Sequence, residues 1–367
     1  MARQDLVICW SVQLRGRPMK VTIKHVAELA HVHSSTVSRV YSGKAKISAA
    51  TRERVLAAAA QLNFHPNAIA RSLTTRRAHV LGMVIPYTQE EFFLDPFFPQ
   101  VLQGLSDVAC RQGFRLLLAG VEDPADEPEA VLQLIRSQQV DGIIVQASRV
   151  GVDTTEVLLA EQHPFVLLGR PLQDAPGLSW VEVDARQATL EAVRYLAGLG
   201  HRRIAFIGGH PNMVVTIDRL EGYRQALEEA GIPYDERLVG YGGFRQEGGA
   251  EAMRRLLAMD GSRPTAVSAA NDLMALGAMQ ALAEQGVRVP AECSVVGSND
   301  SPIAALTNPR LTSSYAPYYE LAREAARALI AQLEGARSEP VKRLIPCRLV
   351  VRDSTAPPAA GRAPSYG

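Results

Sequence analysis

TIKHVAELAHVHSSTVSRVYSG, residues 22–43, reads as two short helices joined by a tight turn. In its first half Thr22 stands at the N-cap, and Ile23, Val26, Ala27 and Ala30 fall on one face. In its second half Val37, Val40 and Tyr41 share a side, and Gly43 stops the helix. Directly downstream, SAATRERVLAAAAQL (48–62) has Ser48 as N-cap and apolar Val55, Leu56, Ala59 and Leu62. Two short helices around a tight turn, the second rich in small polar residues, describe a helix-turn-helix. Such a second helix must be slim and polar to enter a DNA major groove. Ser34, Ser35, Ser38 and Arg39 are residues of that kind, on or near the face opposite Val37 and Val40. Arg39 suits a guanine edge; the serines suit bases or phosphate. An ordinary three-helix subdomain with a polar face has the same pattern, so the pattern alone leaves both readings open.

Charge favours a polyanion as partner. Residues 1–77 hold 13 Lys/Arg against 3 Asp/Glu, while the remainder holds 26 against 35, so a head of +10 precedes a body of −9. Between the head and body, NAIARSL (67–73) follows Pro66, and RRAH (76–79) has the character of a linker.

From Val80 short apolar runs alternate with amphipathic stretches of helical period. VLGMVIP precedes FFPQVLQGLSDVACRQG, RLLLAG precedes EPEAVLQLIRSQQ, and DGIIVQAS and FVLLGR follow. After residue 180 the alternation resumes with WVEVD, RIAFIGG, LVGYGGF, AVSAAND and CSVVGSND, each followed by a helical stretch or loop. Repeated β-α order implies parallel sheets covered by helices, and two blocks of strands favour two doubly wound subdomains. Ligands of such sheets bind beyond the carboxyl ends of the strands. The fold expected is therefore an all-α helix-turn-helix headpiece plus an α/β core of two doubly wound parallel-sheet subdomains. The last residues, DSTAPPAAGRAPSYG, are rich in Pro, Ala and Gly and read as a disordered tail.

The span from Thr22 to Leu73 resembles, without a gap, the headpiece of the lactose-repressor/galactose-repressor family, and the order of elements resembles that family up to LVVRDSTAPP. The resemblance implies that Ser34, Ser35 and Arg39 read bases and that Thr22, Ser48 and Thr51 hold phosphates. It implies a hinge helix from Asn67 to Leu73, ordered on DNA, in which Leu73 is a minor-groove wedge. Ala70 and Arg71 belong to the same DNA-binding set, Arg71 through phosphate attraction. Three positions depart from the family. His31 replaces the usual turn Gly, at a left-handed position where a non-Gly residue costs roughly 1 kcal/mol. His33 replaces a usual Ser at the start of the second helix, and Ser42 a common Asn. His31 and His33 lack partner ligands nearby, so no metal is expected. Residues 1–18 precede Met19, where members of the family normally begin.

The same resemblance implies a periplasmic-binding-protein-like core with a cleft between its subdomains. Sugar sites combine planar polar side chains for hydroxyls with an aromatic face for C–H surface. Arg219 in RLEG matches the family's ligand-gripping Arg, Asn271 and Asp272 in AND its polar pair, and Phe244 an aromatic of the cleft. Asp95-Pro96-Phe97-Phe98 resembles the Asn-Pro-Phe-Phe of its first loop, and Asn299 stands where Asp is frequent. Each has a plainer reading: Arg219 paired with Glu221, Asp272 as a helix cap, Phe97 and Phe98 as core. GRP at 169–171, with Gly169 in place of a frequent Asp, resembles regulators responding to maltose-like or other glucosides.

Other classes fit less well. No run approaches the roughly 18 apolar residues of a membrane span. Leu6 to Trp10 is shorter than the roughly 7–15 residues of a secretory core, which argues against an exported solute-binding protein. The strand–helix turns contain no GxGxxG or GxxxxGK[ST] and no GxSxG elbow, so no enzyme is expected. Cys9, Cys110, Cys293 and Cys347 make no metal or redox spacing and suit a reducing cytoplasm. The domains expected are an extension at 1–19, a helix-turn-helix at 20–66, a hinge and linker at 67–77, a core at 78–352 and a disordered tail at 353–367. The partners expected are operator DNA, a small-molecule effector of the sugar class and a second copy of the chain, with neither cofactor nor membrane. The apolar surfaces expected to pair the copies are Phe98 to Arg111 and Leu273 to Glu284.

Overall fold

Helix periodicity at the N-terminus is realised as three helices, α1 (Ile23–Leu29), α2 (Ser34–Ser42) and α3 (Ala49–Gln61). The computed structural model describes residues 21–42, 47–64, 77–85, 95–146, 149–151, 154–173, 175–259, 263–336 and 339–359. The chain divides into two compact units, Met1–Ala78 and His79–Gly367.

In the first unit Val26, Ala27 and Ala30 of the α1 segment, Val37 and Val40 of α2, and Val55, Ala58 and Ala59 of α3 are buried together. Leu56, one of the apolar residues of this pattern, is 45% exposed; it sits about 100° round the helix from Val55. Ser48 caps α3, its hydroxyl accepting the Thr51 N–H at 3.3 Å. Thr22 precedes α1 as N-cap, and its own N–H donates to His25 Nδ1 at 3.2 Å. The turn between α1 and α2 takes His31 to φ 52°, the left-handed conformation expected where a glycine is usual. The Ser lost at the start of α2 has a substitute: His33 Nδ1 accepts the Ser35 N–H at 3.3 Å and lies 2.9 Å from the Ser35 hydroxyl.

The second unit contains two six-stranded sheets. The first sheet is formed by β1 (Val80–Ile85), β2 (Arg115–Gly120), β3 (Gly142–Gln146), β4 (Phe165–Leu168), β5 (Trp180–Val183) and β11 (Lys342–Ile345), in the order β11-β5-β4-β3-β1-β2. All its pairs are parallel. The second sheet is formed by β6 (Ile204–Gly208), β7 (Val239–Tyr241), β8 (Ala266–Ala269), β9 (Ser294–Asn299), β10 (Thr312–Tyr315) and β12 (Arg348–Val350). Its order is β12-β10-β9-β8-β6-β7, parallel except for the β10–β12 edge. Central strands such as IAFIG and GIIVQ are buried on both faces, as parallel sheets between helices require.

Helices α4 (Phe97–Arg111), α5 (Glu127–Arg136), α6 (Thr154–Ala160) and α11 (Tyr318–Leu333) belong to the first sheet. The second is covered by α7 (Ala185–Gly198), α8 (Val214–Glu229), α9 (Gln246–Leu257) and α10 (Asp272–Glu284). The chain therefore passes between subdomains three times: after β5, between β10 and α11, and between β11 and β12. The face of α4 expected to pair two copies is used internally: Val101, Leu105 and Val108 are buried in the cluster that holds Leu321, Ala322, Ala325 and Leu329 of α11. Gly104 allows this approach, since a Cβ there would strike the backbone of α11 at Tyr319.

The disordered tail expected from 353 is corrected over 353–359. Ser354 is fully buried; its hydroxyl donates to the Val295 carbonyl at 2.6 Å and accepts the Thr312 N–H at 2.8 Å. Ala356 accepts from His201 Nε2 at 2.9 Å, and Thr355 meets the Tyr195 hydroxyl at 3.0 Å. Composition misled because Ser-Thr-Ala, directly before two prolines, completes the hydrogen bonding beside β9 and β10. Residues 360–367 lie outside the described residues, as do 1–20.

Candidate DNA interface and ligand cleft

The headpiece presents its polar residues as the amphipathic pattern requires. With Val37 and Val40 buried, Ser35 and Arg39 are exposed and, four residues apart, share a face of α2. Ser34 and Ser38 are half-buried beside them. Thr22 and Ser48 are exposed and Thr51 half-buried; the Ser48 hydroxyl donates to Thr51 Oγ1 at 2.8 Å. Asn67, Ala70, Arg71 and Leu73, and with them the hinge helix, lie outside the described residues.

In the second unit a cavity of about 700 Å³ opens where the carboxyl ends of both sheets face one another. The first sheet supplies Gln146 from the end of β3, Leu168 from the end of β4 with Gly169 after it, and Glu182 from β5. The second supplies His210 after β6, Phe244 after β7, Leu273 after β8 and Asn299 at the end of β9. This is the place at which open α/β sheets bind ligands, and the volume suits a small molecule.

Of the expected ligand residues, Phe97, Phe98, Arg219, Phe244 and Asn299 all line this cavity. Arg219 projects from α8 and is buried. Its Nη2 lies 3.4 Å from both Asn299 Oδ1 and the Tyr318 hydroxyl, and Tyr318 donates to Asn299 at 2.7 Å. Nε of Arg219 is buried with no hydrogen-bond partner among the described residues. The pairing of Arg219 with Glu221 does not occur; Glu221 binds Arg224 at 2.8 Å. Phe97 contacts Tyr318 edge to face at 4.6 Å between centroids, and Phe98 at 5.0 Å, so these rings are wall and core together. Phe244 sits at φ 65° with its ring against Gly209, where any Cβ would collide with it. Its ring centroid is 6.0 Å from the Arg219 guanidinium carbon.

Asn271 and Asp272 are corrected: neither lines the cavity. Asn271 caps α10, accepting the Met274 N–H at 2.8 Å, and its amide donates to the Phe244 carbonyl at 2.9 Å. It therefore holds Phe244 rather than a ligand. Asp272, the next residue, turns the other way. It accepts the Ser301 N–H at 2.6 Å, the Ser301 hydroxyl at 2.8 Å and the Ser313 hydroxyl at 2.5 Å. Gly297 makes room for that carboxylate, because a Cβ there would run into Oδ1. Burial outweighs these donors and pushes Asp272 up to about 6.

Two contacts join the subdomains beside the cavity. Arg170, after β4, forms a bidentate pair with Asp218 of α8, with Nε at 2.7 Å from Oδ2. Val150 donates to the Asn212 carbonyl at 2.9 Å next to a backbone bridge between Arg149 and Met213.

Sequence reasoning missed Gln146, Glu182, His210, Arg245 and Tyr318 on the cavity wall. Glu182 had a signal. W-V-E-V is a strand of a sheet covered on both faces, and a carboxylate is out of place there unless it has a partner or a task. Tyr318 had none, because its position depends on the chain crossing between β10 and α11.

A helix-turn-helix unit joined to a two-subdomain core with a ligand cleft defines a DNA-binding transcription regulator controlled by a small molecule. The family described as "Bacterial regulatory proteins, lacI family" matches residues 22–67, and "Periplasmic binding protein-like domain" matches 193–355. The chain is 38% identical over 346 residues to the HTH-type transcriptional regulator CelR of Thermobifida fusca, covering 94% of this chain and 100% of that one. It is 32% identical over 336 residues to the HTH-type transcriptional repressor CytR of Escherichia coli, covering 91% and 96%. Among solved structures, a CelR–cellobiose complex aligns with TM-score 0.72 at 36% identity, over 92% of this chain and 100% of that one. A lac repressor dimer bound to operator and the anti-inducer ONPF aligns with TM-score 0.80 at 30% identity, over 92% and 99%. The chain belongs to the lacI family of bacterial regulatory proteins. No helix among the described residues is long and apolar enough to cross a membrane.

Proposed function

We propose that the chain is a cytoplasmic, non-enzymatic repressor that binds a palindromic operator as a homodimer and releases or tightens on it when a neutral sugar enters the core cleft. Arg219 supports this reading above all: a buried guanidinium with an unpartnered Nε, set beside Asn299 and Tyr318 and flanked by Phe97 and Phe244, is equipment for hydroxyls and ring C–H surface. That a CelR structure is a cellobiose complex favours glucosides as first candidates. On the DNA side, Ser34, Ser35, Ser38 and Arg39 read bases, and Thr22, Ser48 and Thr51 grip phosphate. Asn67, Ala70, Arg71 and Leu73 engage the minor groove and its backbone. Reading two half-sites requires two headpieces on a two-fold axis. On α10, Leu276 and Met279 stay half-exposed and supply apolar surface for the second copy. The units at 20–66, 67–77 and from 78 onward carry reading, hinge and control respectively.

Thermal unfolding of the full chain with added glucose, maltose, cellobiose, adenosine or hypoxanthine tests the ligand class. A sugar at a hundred times its Kd adds about 2.7 kcal/mol of stability and raises Tm by several degrees. Stabilisation by a purine alone would overturn the sugar reading.

A further inference from the structure

Glu182 is the odd residue of the cleft. It stands within a strand otherwise made of Trp180, Val181 and Val183, is buried, and lines the cavity. Its Oε1 accepts the Val183 N–H at 2.8 Å, and the backbone N–H of Arg170 also points to its carboxylate. Neither nearby guanidinium pairs with it directly, although the charge of Arg219 favours its ionised form. Arg170 is held by Asp218, and Arg219 reaches toward Asn299 and Tyr318. No ion pair of Glu182 exists among the described residues. Burial accordingly pushes its carboxyl up to about 7. Asp95, on the facing loop, also borders the cavity; its Oδ1 accepts the Phe97 N–H at 2.9 Å, and burial raises its pKa too. The buried end of the cleft thus sets two carboxylates against one guanidinium, Arg219. The exposed Arg245 and Glu247 offset each other at the mouth.

A buried carboxylate without a cation is costly to keep, and such groups mark sites with a task. Two backbone donors fill part of its acceptor capacity, and an ionised carboxylate offers about four lone-pair sites. The residue itself is part of the cavity wall. We propose that Glu182 selects neutral, hydroxyl-rich ligands over anionic ones, by accepting hydroxyl hydrogens at the buried end of the cleft and repelling carboxylate or phosphate there. This rests on the sugar reading above. The competing role is purely structural, with Glu182 only fixing the turn through the Val183 and Arg170 N–H groups. A glutamine keeps an acceptor for the Val183 N–H through its carbonyl oxygen and so serves the larger part of that role.

Glu182→Gln therefore separates the two roles. The full chain and the variant are titrated calorimetrically with glucose, maltose and cellobiose, and with their anionic counterparts glucose 6-phosphate, maltobionic acid and cellobionic acid. An unliganded Tm no lower than that of the parent shows that the variant is folded; Glu182→Asp is the second variant. For the neutral sugar that the parent binds best, Glu182→Gln raises Kd at least tenfold. The ratio of anionic to neutral Kd also falls at least tenfold, whereas Glu182→Asp keeps that ratio high. If Glu182→Gln leaves Kd within twofold and the ratio unchanged, Glu182 is structural and the inference fails while the sugar reading stands. If the parent binds none of the three neutral sugars, both fail together.

Discussion

Arg219→Ala raises the effector Kd by roughly 10- to 150-fold and removes the response of operator binding to the effector. The magnitude follows from the chemistry. A hydrogen bond to a charged group contributes about 1.5–3 kcal/mol, and the Arg219 guanidinium on the cavity wall supplies a charge-assisted one to the ligand. Removing the guanidinium also withdraws the cation beside Phe244, 6.0 Å from its centroid, and the positive charge between Asp95 and Glu182. The neighbouring ion pair of Arg170 and Asp218, one link between the subdomains, does not involve Arg219 and persists. Operator affinity without effector is accordingly kept, because the headpiece residues are untouched. An unchanged effector Kd in Arg219→Ala, measured by calorimetry, would place the ligand elsewhere.

Asp272→Ala has the largest expected effect on stability. Three donors converge on this carboxylate from Ser301 and Ser313, all in the interior of the second sheet's carboxyl edge. The serine hydroxyls can turn to other acceptors, but the Ser301 N–H has a fixed direction. A buried donor left unsatisfied costs about 1–3 kcal/mol, and the space that Gly297 reserves for the carboxylate becomes a void. A loss of about 3 kcal/mol lowers Tm by roughly 5 °C for a unit that spans His79–Gly367. Because Asp272 does not border the cavity, the folded variant binds effector with unchanged Kd. A variant with parental Tm and weakened effector binding would restore Asp272 to the ligand site.

The two residues of AND show where sequence reading stops. Asn271 and Asp272 are adjacent and chemically alike, and both fit a polar ligand pair. Only the directions of their side chains separate them, and these depend on the cap of α10 and on two serines distant in the chain. The fold was far more legible, because periodicity is local. GIIVQ and IAFIG, set in β-α alternation, read as doubly covered strands, and VAELA with its cap as an amphipathic helix. Phe97, Phe98, Arg219, Phe244 and Asn299 were legible as members of one cavity through family resemblance, which carries the order of strands with it. The tail was misread for the opposite reason. Its composition is that of a linker, yet Ser354 supplies hydrogen bonds between β9 and β10 that no local pattern announces. Histidine at position 33 also defied its pattern: an imidazole nitrogen takes the place of the expected hydroxyl at the start of α2.

Operator binding by the full chain, measured by fluorescence anisotropy on a palindrome that the chain itself selects from random DNA, tests the central claim most directly. The account predicts an affinity whose logarithm falls linearly and steeply with the logarithm of salt concentration, as phosphate contacts require. It predicts that this affinity is lost when residues 1–77 are removed, and that the stabilising sugar shifts it by about 5- to 150-fold. Sequence-selective DNA binding retained without residues 1–77, or a sugar that binds the cleft and leaves operator affinity unchanged, would contradict it.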